Sequence, residues 1–341
     1  MATTFAVPDG RVAMAATTYT GNGSTQTISN AVNTVSFQPD LVWIKDRTTA
    51  YSHILFDTIR GAGNYLISNG TLVETTDTNY MSAFTSTGFS VGTSAVSNGN
   101  TENYVGWQWK AGGTAVSNTA GTITSSVSAN TTAGFSVVTY TGTGANATVG
   151  HGLGVAPGLI LIKARASAYD WTVYHSAIGA TKYLVLDGTS AAGTDTTAFN
   201  NTAPTSTVFS LGSAVWANSG TMVAYCWAPV AGYSAFGSYT GNGSADGTFI
   251  YTGFRPRWLM IKSSSGAFNW FIEDASRNTT NVTGLDLSPN LSDAEANNSP
   301  TFDFLSNGFK LRNTYTSQNG SGSTYIYAAF AENPLKYSNA R

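Results

Sequence analysis

The chain has 341 residues, 42% hydrophobic and 12% aromatic, which is enough to bury substantial cores and excludes a disordered protein. Charged residues make up only 10% and the formal net charge is -2, so no basic face is expected to neutralise phosphates, which argues against nucleic acid as a partner. Cys226 is the single cysteine, which excludes an intrachain disulfide and a multi-cysteine metal site.

Residues 1–18 read as an N-terminal arm. They lack the basic start and apolar centre of a secretory signal, and nowhere do about 18 apolar residues run together, so synthesis in a cytoplasm is expected and membrane insertion is not. The phrase "YTGNGS" at 19–24 then reads as a strand running into a turn, with the tyrosine packing and Gly-Asn-Gly supplying positive φ. It returns at 239–244, with "YTGTGA" at 140–145. No Gly-Lys-Ser/Thr follows it and no strand–helix alternation surrounds it, so neither a P-loop nor a dinucleotide fold is indicated.

After each tyrosine phrase comes a proline followed six positions later by lysine: Pro39 and Lys45, Pro157 and Lys163, Pro256 and Lys262. The intervening strands are apolar on both faces; Val42 and Ile44 point one way, Leu41 and Trp43 the other, which places each strand centrally under two covers. "HILFD", "WTVYH" and "WFIED" follow in matched register, then "GFSVG", "VFSLG" and "GFKLR", and each copy closes on "YVGWQW", "MVAYCW" or "YIYAAF". The closing strands put Val105, Trp107 and Trp109, then Val223, Tyr225 and Trp227, then Ile326, Ala328 and Phe330 on a core-facing side.

The expected architecture is all-β: three tandem homologous β-sandwich domains, jelly-roll-like, each with its own core and strung as beads. Their bounds are 19–113, 134–232 and 233–332, with a polar linker at 114–133 and a C-terminal tail at 333–341. One short helix is expected near Leu291 to Ala296, where Ser292 to Glu295 spells a weak capping box.

Among chemical candidates, Lys45 and Lys262 are expected to pair with Asp57 and Asp274, twelve residues on, and Lys163 to meet His175 at the same place. "DTIR" and "DASR" read as local Asp–Arg clamps that the middle copy lacks, having His175 for aspartate and Ile178 for arginine. His53, His151 and His175 have no partners at metal-ligand spacing, and Asp187, Asp195 and Asp246 lack a calcium-loop pattern. Asp286, Asp293 and Glu295 form a modest cluster that reads as a solvated loop. No cofactor and no catalytic set is expected. What remains is binding: Tyr51, Tyr169 and Phe268, at matched loop positions six residues past each lysine, and Tyr80, Trp216 and Tyr315, in variable inserts, are the aromatics expected at the surface. Beside Asn, Ser or Asp such rings suit a saccharide, and equally a subunit contact.

"YTGNGS", "FQPDLVWIK", "SHILFDTIRG", "STGFSVG", "YVGWQWKAGG", "SNGFKLR" and "YIYAAFAENP" together resemble a repeated domain of bacteriophage virion proteins, particularly of marine and cyanobacterial phages. The resemblance implies a virion location and an adhesive or architectural role, with no catalytic residue to transfer. The expected function is a noncatalytic structural protein of the tail or tail-fibre region that contacts other virion proteins and host-surface polysaccharide, as a possible homo-oligomer. A capsid decoration or head-fibre protein, held by the N-terminal arm, is the alternative, and a polysaccharide depolymerase the third.

Overall fold

The computed structural model describes residues 5–332, so positions 1–4 of the expected arm and the 333–341 tail lie outside the described residues. It is all-β with several antiparallel sheets. In the first repeat the strands are β1 (Met14–Thr20), β2 (Gln26–Ser29), β3 (Leu41–Asp46), β4 (Ile54–Asp57), β5 (Asn64–Ile67), β6 (Thr75–Thr76), β7 (Ala83–Thr85), β8 (Gly88–Val91) and β9 (Asn103–Trp109). They form a large sheet in the order β1-β9-β3-β4-β5-β6 and a small one in the order β2-β8-β7. The same pairing recurs in the other repeats, where Phe135–Thr143 and Ser234–Thr240 stand for β1, Ser219–Trp227 and Thr324–Ala331 for β9, and Leu159–Ala164 and Pro256–Ser263 for β3.

β3 is buried at every residue, as its two apolar faces require. Val42 and Ile44 pack with Ile28, Phe89 and Val91 of the small sheet. Leu41 and Trp43 instead join a cluster that draws on all three repeats, including Leu159, Trp171, Tyr225, Trp227, Trp258 and Phe330. The second cover of each large sheet is therefore the other two repeats. Trp109, Trp227 and Phe330 hold matched positions, opposite Leu41, Leu159 and Trp258. The Trp109 ring lies 5.7 Å from Trp227, 5.4 Å from Trp258 and 5.7 Å from Phe330, all edge-on. Such pairs add about 0.5–1.5 kcal/mol each beyond the area they bury. The first and second repeats do bury cores of their own, yet the chain does not build separate beads: a strand apolar on both faces is covered outward by its neighbours' equivalents.

Three other expectations change. The 114–133 stretch carries Val116–Asn118 and Ser125–Asn130, which extend the second large sheet to eight strands. The arm is docked from residue 5 onward: Val7 and 13–16 are buried, and the Ala16 carbonyl accepts from Arg257 Nη2 at 3.2 Å and Ser276 Oγ at 2.7 Å. Residues 291–295 form no helix; Glu295 N–H donates to the Arg47 carbonyl at 2.9 Å, so a cross-repeat bond takes the place of a helical one. The helices that do form are single turns: α1 (Ala95–Asn98), Thr196–Phe199, Val215–Asn218 and Thr316–Asn319.

Those turns explain the tyrosine phrase. Tyr19, Tyr140 and Tyr239 each donate at 2.7 Å to a carbonyl of the short helix, on Ser97, Ala217 and Gln318. The buried Asn98 accepts from Asn22 N–H at 3.1 Å and donates to Ser24 and Gly92 carbonyls at 2.6 Å each. Asn218 and Asn319 repeat this. The two glycines have separate duties: a Cβ on Gly21 would stand 2.1 Å from the Gly99 carbonyl oxygen, and Gly23 adopts φ +67.

Candidate functional site: an aromatic cleft and the ring of contacts behind it

The recurring polar residues lie between repeats. Asp57 opposes Leu41 in the β3–β4 pairing, at the far end of the hairpin from Lys45, so the expected Lys–Asp pairs do not form. Asp57 is instead clamped by Arg60 with both side chains fully buried, and it accepts from the Tyr225 hydroxyl of the second repeat at 2.8 Å. In the third repeat Arg277 holds Asp274 at 2.6 Å, and Asp274 accepts from Trp107 Nε1 of the first at 2.9 Å. The local clamps expected from "DTIR" and "DASR" are present, and each docks a neighbouring repeat.

Glutamates complete the network. Glu74 joins Arg60 at 3.1 Å and Arg165 of the second repeat at 2.7 Å; Glu295 joins Arg277 at 2.8 Å and Arg47 of the first at 2.7 Å. At the contact of the second with the third repeat every one of these is replaced. His175, Ile178 and Ala192 stand on one side, Ser264 and Ala328 on the other, while the backbone bond survives from Ala192 N–H to the Ser264 carbonyl at 3.0 Å. With no aromatic at 328 to donate, the His175 imidazole lies 3.0 Å from the Tyr327 carbonyl. Burial lowers the His175 pKa to about 4, so the ring is neutral and its Nε2 carries the donated proton.

The three lysines are cationic braces for carbonyls. Lys163 donates to Thr71 of the first repeat at 3.0 Å and to its own Tyr169 at 2.8 Å; Lys262 donates to Thr189 of the second at 3.0 Å. Lys45 donates to the carbonyls of Asp46, at 2.5 Å, and Thr49. Burial lowers all three to about 8. Trp171 and Trp270 reach back in the same way, to Ile67 at 2.7 Å and Val185 at 2.9 Å.

The acidic cluster is solvated only at Asp293. Asp286 is buried beside Glu273, burial and mutual repulsion raise the pKa of Glu273 well above normal, and Thr301 donates to it. Burial raises Asp286 too, so both carboxyls are held above the usual carboxylate range. Of its expected companions, Glu295 is in the ion-pair network and Asp293 is exposed. His151 is buried and accepts from Leu153 N–H at 3.2 Å. Asp187 accepts from Trp171 N–H at 2.8 Å, Asp195 caps a short helix, and Asp246 pairs with Lys310 at 2.5 Å.

Two of the six expected surface aromatics meet. Tyr51 and Tyr80 line one cleft of about 220 Å³ in the first repeat, with Tyr65, Leu72, Val73 and Val96. The Tyr65 and Tyr80 rings are 4.7 Å apart and tilted by 46°. Burial and the neighbouring Tyr80 push the Tyr65 phenol up to about 12, so it stays a protonated donor. Tyr169 and Trp216 are half-buried and pack against the second repeat's own core, where Trp216 lies 6.4 Å from Tyr183. Phe268 is half-buried over Gly266, and Tyr315 is exposed ahead of the last short helix.

Sequence reasoning missed Tyr65, Leu72, Val73 and Val96. Tyr65 had a signal, since Tyr183 stands at the matching strand position; the others sit where the repeats diverge and gave none. Asn98, Asn218 and Asn319 also carried one, each ending the short turn before the closing strand.

The model of one family, described as a domain of unknown function (DUF7483), matches residues 12–334. The chain belongs to this family. The DUF7483 match takes in all three repeats, and so both ion-pair networks and the shared core apart from Val7. No curated protein and no solved structure matches the chain.

Proposed function

We propose that this DUF7483 chain is a noncatalytic structural protein of a bacteriophage virion, in the tail or tail-fibre region, where it presents a glycan-binding surface to the host. In this reading the repeats are three homologous β-sandwich domains fused into a single-chain pseudo-trimer. The observation that carries it is the common core: Trp109, Trp227 and Phe330 meet at matched positions, which supports three repeats held as one rigid head. Rigid presentation lowers the ordering cost of attachment, and the Tyr51–Tyr80 cleft gives the head a place to hold a ligand.

The burial of Val7 and 13–16, with the Ala16 carbonyl bonded to the third repeat, withdraws support from a capsid protein tethered by a free arm. The burial of Asp286 against Glu273 likewise weakens the depolymerase reading, which needs an acid pair facing a substrate. The test is adsorption of the purified protein to host cells with competition by their polysaccharide, joined to a cryo-electron microscopy map of the virion. Cell binding and density at the tail are expected; no adsorption, with density on the capsid lattice, would replace this reading by capsid decoration.

A further inference from the structure

The cleft of the first repeat permits a narrower inference, which rests on the host-attachment reading. We propose that it holds one uncharged pyranose ring of a neutral host glycan. Its lining is three tyrosines, aliphatic side chains and the hydroxyls of Ser52 and Thr75, with no charged residue among them. Tyrosine faces are electron-rich and meet the weakly positive C–H face of a pyranose, while phenol and alcohol hydroxyls at the edge exchange hydrogen bonds with its OH groups. A carboxylated or sulfated sugar would lose its hydration here without gaining a cation. The volume, about 220 Å³, lies below the roughly 300 Å³ at which sites for larger ligands begin, and so suits a single ring.

The rim is built to stay open. Leu72 is 63% exposed and Val73 39% exposed, yet the residues on either side are pinned by the second repeat. Lys163 holds the Thr71 carbonyl, and Arg165 holds Glu74 from outside while Arg60 holds it from within. An exposed apolar pair on a fixed loop beside a tilted pair of tyrosines is a preorganised contact surface.

Comparison within the chain supplies the decisive variant. Ser97 and Ala217 both accept from the tyrosine of the turn phrase, which aligns Val96 with Trp216. Ser94 and Ala214 N–H donate to Asn79 and Thr197, which aligns Tyr80 with Ala198. The second repeat thus sets its bulk on the helix and an alanine opposite. Val96→Trp with Tyr80 retained brings a side chain that this fold accepts at that position, into space that Tyr80 already flanks.

Saturation-transfer NMR with maltotriose, mannotriose and galactotriose, and with trigalacturonate as the acidic probe, tests this alongside whole-cell adsorption. At least one neutral trisaccharide should give signals that Val96→Trp and Tyr80→Ala each weaken by tenfold or more, with circular dichroism and melting retained in at least one variant. Binding unchanged in both variants, a preference for trigalacturonate, or no signal from any neutral sugar would each overturn the proposal. Wild-type adsorption to host cells would in those cases leave the attachment reading standing; loss of adsorption as well would remove both.

Discussion

The hydroxyl of Tyr225 donates at 2.8 Å to the Asp57 carboxylate, which Arg60 already neutralises, so the second repeat docks on a charge pair buried in the first. Tyr225→Phe removes this bond and the one that the hydroxyl oxygen accepts from Arg60 Nη2 at 3.0 Å, and should cost about 1.5–3 kcal/mol. Asp57→Ala should cost more, about 3–5 kcal/mol, because it leaves the buried Arg60 guanidinium with Glu74 alone as counter-charge and takes the acceptor from the Tyr225 hydroxyl. Denaturant unfolding of both variants checks the order; a larger loss from the phenylalanine variant would contradict it.

The second-to-third contact should respond to acid. The His175 pKa falls from the ordinary 6.5 to about 4 on folding, because burial opposes its charge. Between those values the unfolded chain binds the extra proton, so stability rises with pH across that window and is lost as pH falls through it, by about 3 kcal/mol in total for this residue. Burial lowers His53 and His151 as well, so the slope is isolated by difference. His175→Gln should flatten the stability profile between pH 4 and 6.5 relative to wild type, as read by melting at several pH values.

Glu273 and Asp286 act in the opposite sense. Burial raises both carboxyls, and repulsion from Asp286 adds to it at Glu273, so the folded chain keeps a proton that the unfolded chain releases above about pH 4. Stability should therefore decline as pH rises above the normal carboxylate range. Glu273→Gln imitates the protonated acid and can still accept from Thr301. It should match wild type near pH 4 and exceed it at pH 8; thermal melts at the two pH values decide.

Asn98→Ala leaves the Ser24 and Gly92 carbonyls and the Asn22 N–H without their partner and should cost about 3 kcal/mol. Gly21→Ala should be at least as harmful, since its Cβ would meet the Gly99 carbonyl oxygen at 2.1 Å. By contrast Gly144→Ala, at φ +72 with nothing within 4 Å, should cost only about 1 kcal/mol of backbone strain. Hydrogen exchange of the first turn should speed up in the first two variants and stay slow in the third.

Much of the fold was legible in the residues. The alternation in Leu41 to Ile44 gave the strand and its double burial, and the repeated phrases gave the order of elements. What covers the second face was not legible, because Trp43 and Trp107 look the same to the sequence whether their cover is their own small sheet or another repeat. The expected partner of Lys45 failed for a related reason: a twelve-residue spacing measures distance along the chain, while the tight β3–β4 pairing sets Asp57 against Leu41. At the cleft, Tyr51 and Tyr80 stood out as aromatics in loops, but their convergence on Tyr65 depends on the strand pairing and on a rim held by Lys163 and Arg165 from another repeat.

The first repeat carries both halves of the docking device: the donor Trp107, and the clamp of Asp57, Arg60 and Glu74. The second keeps the donor Tyr225 without a clamp, and the third the clamp of Asp274, Arg277 and Glu295 without a side-chain donor at the matching position, where Ala328 stands. In an assembly of three identical chains a substitution falls on every interface at once, so a donor and its acceptor could not be dropped from one seam alone. Fusion into one polypeptide lifts that constraint. Ile178 and Ala328 mark the seam where the two sides changed together, and they make the order of the repeats part of the code: exchange any two, and a buried carboxylate faces an alanine.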